Sequence, residues 1–246
     1  MGEDDERKLP EEQGESRPQR RTSSDHEVEA FLNKVATTST VRPGGGRGRL
    51  IFAMDATASR QPSWDRACHL QAEMFKETKA LGGLDVQLVF YRGFGECKAS
   101  GWMSDSDALL RRMTAVSCLA GQTQIAKVLS HAIKETQNKQ VNALVFVGDC
   151  MEEDIDRLGQ LAGELGLLNV PCFMFHEGPD PVARNAFQQI ARLSGGAFAP
   201  FDSSSPKQLR DLLSAVAVFA AGGRKALRNY SEKVGGEVLK LTHQMR

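Results

Sequence analysis

From Leu50 onward the chain repeats one texture, in which short, nearly uninterrupted apolar runs alternate with longer amphipathic segments. The runs are LIFAMD ending at Asp55, DVQLVFYR from Asp85, NALVFVGD ending at Asp149, VPCFMF from Val170 and the weaker GAFAPF from Gly196. A strand with one wetted face alternates apolar and polar residues; these runs do not, so both of their faces must be covered. ECKASGW follows DVQLVFYR closely across Gly93 to Gly95, a spacing that predicts a hairpin and an antiparallel edge strand. Between the runs, helices are expected at Trp64–Ala80, Ser104–Val116, Thr123–Gln137, Glu152–Leu165, Pro181–Ser194 and Pro206–Ala221, with both prolines suited to first turns. The fold class that follows is α/β: a doubly wound, Rossmann-like, mainly parallel central sheet with one antiparallel edge strand and helices on both faces.

This domain is expected over residues 48–222, roughly 175 residues and enough for a full core. Residues 1–24 carry both charge signs and almost no apolar side chains, so they are expected to be a disordered arm. Within residues 25–47, Val28, Phe31, Leu32 and Val35 recur at helical spacing. They predict a short amphipathic helix, docked on the domain's own flank, followed by a glycine-rich linker. Residues 223–246, basic and set off by the glycine pairs 222–223 and 235–236, read as a solvated tail.

Lys and Arg total 31 against 31 Asp and Glu, which gives no overall field for nucleic acid. No run approaches the about 18 apolar residues of a membrane span, and the N-terminal stretch lacks the apolar core of a secretory signal. A cytoplasmic location is the expectation. The five cysteines, Cys68, Cys97, Cys118, Cys150 and Cys172, show no zinc spacing and are expected to be reduced, small core residues.

In an open parallel sheet, ligands bind outside the carboxyl ends of the strands. Two runs end there in aspartate. Asp55 is followed by Thr57 and Ser59, Asp149 by Glu152, Glu153 and Asp154, and Thr123 stands in the turn that opens a mid-domain helix. Taken alone, either aspartate suits a turn or helix cap, Ser59 a turn and Thr123 an N-cap. Together, two carboxylates and three hydroxyls are hard oxygen ligands, the set that suits Mg²⁺. Glu152, Glu153 and Asp154 read as a solvated first turn favoured by the helix dipole.

Asp-x-Thr-x-Ser after the first strand, Gly-x-Thr before a mid-domain helix and a strand-terminal Asp resemble the metal-ion-dependent adhesion site of von Willebrand factor A domains. The resemblance covers residues 48–222. It implies that Asp55, Thr57, Ser59, Thr123 and Asp149 hold Mg²⁺ or Mn²⁺, and that an acidic side chain of a protein partner completes the ion's coordination. It implies no catalysis. An adaptor role follows, with a partner not identified by the sequence, in the class of AAA+ or chaperone-like assemblies that intracellular relatives serve. Thr57 stands where Ser is usual, Gln122 where a second Gly is common, and Gly148-Asp149-Cys150 where Thr-Asp-Gly is common.

A second reading belongs to another class. DATAS and VGDCMEED also resemble two motifs of haloacid-dehalogenase-type phosphatases, which would make Asp55 a nucleophile and put Mg²⁺ on Asp149 with Glu153 or Asp154. Against it, Thr57 occupies the place of the general acid, and no lysine near a strand end offers the charge clamp.

Overall fold

The structure is a computed structural model that describes residues 46–201 and 206–234, together with Ala30. Among the described residues six strands form one sheet in the order β3-β2-β1-β4-β5-β6. They are β1 (Gly48–Asp55), β2 (Leu84–Arg92), β3 (Glu96–Ala99), β4 (Ala143–Gly148), β5 (Cys172–Glu177) and β6 (Ala197–Phe201). Every pairing is parallel except β2 with β3. The antiparallel edge strand, the parallel remainder and all six apolar segments thus stand where the sequence pattern put them.

Helices cover both faces, which is why β1 reads as a continuous apolar run. All eight of its residues are buried, and alternate side chains enter different cores. Leu50, Phe52 and Met54 join Trp64, Met74, Leu109, Leu213, Val216 and Phe219 on one face. That face is built by α1 (Gln61–Thr78), α2 (Ser106–Thr114) and α6 (Pro206–Val234). Ile51 and Ala53 join Ile125, Leu129, Phe146, Leu158 and Phe187 on the other, covered by α3 (Ile125–Asn138), α4 (Ile155–Leu167) and α5 (Pro181–Leu193). Among the described residues no helix is long and apolar enough to cross a membrane.

Three expectations need correction. Helix α4 begins at Ile155 rather than Glu152, because the Asp154 carboxylate caps it by accepting from the amides of Asp156 and Arg157 at 2.9 and 3.0 Å. Helix α1 begins at Gln61, three residues early, since Pro62 fits its first turn. The basic tail is, as far as Val234, a continuation of α6 across a break at Gly223 (φ 68°). Leu227 is fully buried there and Tyr230 packs against the core, so apolar contact rather than charge decides its fate. The arm, the linker and, apart from the helical Ala30, the amphipathic segment 25–36 lie outside the described residues, as do residues 235–246.

The topology also fixes where a ligand site can form. Strand β1 is flanked by β2 on one side and β4 on the other, so the connections leave in opposite directions and open a crevice beyond the ends of β1 and β4. Asp55 is the last residue of β1, and Asp149 follows the last residue of β4.

Candidate metal centre

That crevice is a cleft of about 280 Å³ lined by Asp55, Thr57, Ala58, Ser59, Ala120, Gly121, Thr123, Asp149, Cys150 and Glu152. All five residues singled out in the sequence therefore meet in it. Thr57 and Ser59 are presented by the turn Ala58–Arg60 that links β1 to α1. Thr123 comes from the entry to α3.

Each carboxylate has one oxygen engaged and one free. Asp55 Oδ1 accepts from the Thr57 amide at 2.7 Å, and Asp149 Oδ2 accepts from the Ser59 hydroxyl at 2.9 Å. Among the described residues, Asp55 Oδ2 and Asp149 Oδ1 are buried and make no well-formed hydrogen bond; the Tyr91 hydroxyl, also without one, stands near the Asp55 carboxylate. Two unsatisfied, shielded carboxylate oxygens in one polar cleft are costly unless a cation or donor meets them. Thr57 Oγ1 lies 3.5 Å from Ser59 Oγ, so neutral hydroxyls stand among the acids. Among the described residues no group of three or more His, Cys, Asp or Glu side chains is placed to hold a metal. The candidate donors are thus two carboxylates and hydroxyls, which fit a hard divalent ion.

Burial is the main reason the Asp55 carboxyl is pushed above the usual range, and the Asp149 charge adds to it. The Thr57 hydrogen bonds and Arg60 oppose that rise. Beside Asp55 in the register lies Tyr91; burial, then the Asp55 charge, pushes its phenol well above its ordinary value and keeps it neutral. A divalent cation would relieve the repulsion between the two acids.

Of the acidic run after Asp149, Asp154 serves its own helix as a cap, but Glu152 and Glu153 have a different task from the one expected. Glu152 Oε2 accepts from the Thr123 amide at 3.1 Å, and the Glu152 amide donates to Thr123 Oγ1 at 3.0 Å. Glu153 accepts from the amides of Ile125 and, at 2.9 Å, Ala126. These carboxylates satisfy the orphan donors at the start of α3 and hold Thr123 against the β4–α4 loop. They act on the dipole of a neighbouring helix, not on that of their own. Glu153 is thereby occupied at the start of α3 and Asp154 at the start of α4, and no lysine lines the cleft.

Sequence reasoning missed the cation behind the centre. Arg60, 2% exposed, places Nη1 on Glu177 and 3.8 Å from Asp149 Oδ2; Glu177 also accepts from the Ser63 hydroxyl. Arg60 Nε and Nη2 have no hydrogen-bond partner among the described residues. Glu177 ends β5, so the rule that picked out Asp55 and Asp149 also pointed to it. The five cysteines are free, and burial pushes the thiols of Cys68, Cys97 and Cys118 up to about 11 and that of Cys172 to about 12.

No protein-family model matches the chain, and no curated protein does. Solved structures do. The SpRpn10 VWA domain superposes with a TM-score of 0.52 at 16% identity, covering 68% of this chain and 94% of that one. Proximal thread matrix protein 1 from the mussel byssus, with a zinc-occupied MIDAS motif, gives 0.58 at 15% identity over 74% of this chain. This chain spans about half of it, 48%. The pilus adhesin SpaC from Lactobacillus rhamnosus GG gives 0.55 at 9% identity, covering 78% of this chain and 31% of the adhesin. The strand order, the single antiparallel edge and these superpositions agree: the chain has the fold of a von Willebrand factor A domain.

Proposed function

We propose that this chain is a metal-dependent protein-interaction module, in which Asp55, Thr57, Ser59, Thr123 and Asp149 hold Mg²⁺ or Mn²⁺ and a partner's acidic side chain completes the coordination. The observation that carries this reading is the pair of buried, unpartnered oxygens, Asp55 Oδ2 and Asp149 Oδ1, in one cleft with hydroxyl donors. Hydroxyls are neutral ligands, so an ion held partly by them keeps charge for an incoming carboxylate. The chain's own residues supply the frame: Ser59 and Arg60 fix one oxygen of Asp149, the Thr57 amide fixes one of Asp55, and Glu152 fixes Thr123. The zinc-occupied motif of the mussel protein supports a divalent ion on this fold.

The role is that of an adaptor rather than an enzyme, in an assembly of the AAA+ or chaperone-like class. The hydroxyl that meets a carboxylate in the cleft, Ser59 on Asp149, has no imidazole beside it to carry a proton, and Glu153 is spent on the start of α3. Cytoplasmic residence is part of the same proposal, supported by five unpaired cysteines. The test is an affinity pull-down with the full chain in Mg²⁺ and in EDTA. A partner bridged by the ion is retained in the first and released in the second; retention in both removes the ion from the interface.

A further inference from the structure

Phe94 is the most exposed aromatic side chain among the described residues, 85% accessible at the tip of the β2–β3 hairpin, and Leu119, next in sequence to the cleft residue Ala120, is 47% accessible. Neither belongs to a fraying loop. Gly93 and Gly95, both at positive φ (59° and 155°), turn the chain on either side of Phe94. The Gln122 amide donates to Gly93 O at 3.2 Å, and Lys127 Nζ donates to Gly95 O at 2.9 Å. Arg92 Nη1 ties the hairpin to Ser117 O at 2.6 Å, and the Leu119 amide donates to Ala56 O at 3.0 Å. Gly121, which lines the cleft, touches the Gly93 backbone so closely that a Cβ there would lie 2.2 Å from Gly93 O. The backbone that carries the two apolar side chains is therefore tied to the segment, Ala120 and Gly121, that lines the cleft.

Charge sets a direction on this surface. The hairpin side carries Arg92, Lys98 and Lys127 against Glu96, while the opposite rim carries the exposed Glu152 and Asp154. An acidic chain that reaches the cleft is drawn over the hairpin and repelled from the β4–α4 loop.

We infer that Phe94 and Leu119 are the second half of the docking surface, and that the occupant is an acidic peptide segment of another protein with an aliphatic or aromatic residue close to its metal-directed carboxylate. Rigid aromatic anchors beside a charged contact are where interface affinity concentrates. The inference rests on the metal-bridge reading for the carboxylate, but the apolar half is readable separately.

The probe is a set of synthetic peptides in a neutral polar background, each with one central Asp, with or without a Leu or Phe at successive offsets and with acidic or basic flanks. Binding is followed by fluorescence polarisation with the full chain in Mg²⁺ and in EDTA. Peptides that combine Asp, an apolar residue and acidic flanks should bind at least about tenfold tighter than Asp alone. Phe94→Ser should erase that gain and leave the melting temperature unchanged, with Leu119→Ser a weaker version. An apolar residue that adds nothing, a gain that survives Phe94→Ser, or a set in which no peptide binds overturns the inference. So does self-association of the chain that Phe94→Ser abolishes, since the occupant is then a second copy. A Phe94-dependent gain that persists in EDTA and in Asp55→Ala sustains the apolar surface and refutes the metal bridge instead.

Discussion

Replacing Arg60 with Met tests the buried cation behind the centre on two counts. Arg60 and Glu177 are 2% and 14% exposed at the side chain. Removing the guanidinium takes the charge partner from a shielded carboxylate that keeps the Ser63 hydroxyl, at a cost of about 3–5 kcal/mol, whereas replacing both charged groups with apolar ones is often near neutral. In a domain of this size 1 kcal/mol shifts the melting temperature by about 2–4 °C. Arg60→Met should therefore lower it by about 6–20 °C, and Arg60→Met with Glu177→Met should recover most of the loss. The second count is ion affinity. The guanidinium stands 3.8 Å from one oxygen of Asp149, so a divalent ion on the other oxygen lies about 6–8 Å away. With an effective dielectric of about 40–80 the repulsion is about 1–3 kcal/mol, partly offset by Glu177. Arg60→Met should tighten Mn²⁺ binding about tenfold, the double variant less. Thermal melts followed by circular dichroism and calorimetric Mn²⁺ titration read the two counts. A double variant as unstable as the single one, or unchanged or weakened ion affinity in Arg60→Met, refutes the reasoning.

Three further outcomes follow from the same contacts. Glu153→Gln should lower stability by about 1–3 kcal/mol, because a charged acceptor for the amides of Ile125 and Ala126 is lost; a melting temperature within error of the parent contradicts the capping role. Gly121→Ala should disrupt the loop against the hairpin, since the new Cβ has only backbone to meet; hydrogen exchange at Gln122 should quicken, and unchanged protection means that the contact is not formed. Burial pushes the His131 pKa below its ordinary value, against the pull of Glu135. The unfolded chain thus takes up the proton first, near pH about 6.5, and stability present above that pH is lost as pH falls through the lower folded value. His131→Gln should flatten the decline in melting temperature between pH 7 and 5, whereas an equal slope assigns the decline to other groups.

Much of the fold was legible because burial on two faces leaves an unmistakable trace. Ile51 and Ala53 serve one core while Leu50, Phe52 and Met54 serve the other, and only a central strand asks for apolar residues at every position. The end of the chain was less legible. Three glycines and six basic residues suggest a tail from 223 to 246, yet Leu227 and Tyr230 find the core, and no local pattern announces a docking surface made by distant residues. At the site, the order of Asp55, Thr57, Ser59, Thr123 and Asp149 was readable because strand ends mark the crevice. Arg60 was not, since its importance lies in Glu177, 117 positions away in the chain and brought near only by the sheet. Glu152 and Glu153 failed for the same reason: their partners, the amides of Thr123, Ile125 and Ala126, belong to another helix.

The account stands most directly on calorimetric titration of the full chain with Mg²⁺ and Mn²⁺, alongside Asp55→Ala and Thr123→Ala. Saturable one-site binding in the parent chain, lost in both variants while their circular-dichroism spectra stay native, is the result expected from two free carboxylate oxygens in a hydroxyl-lined cleft. Absence of binding in the parent, or equal affinity in both variants, contradicts the metal centre.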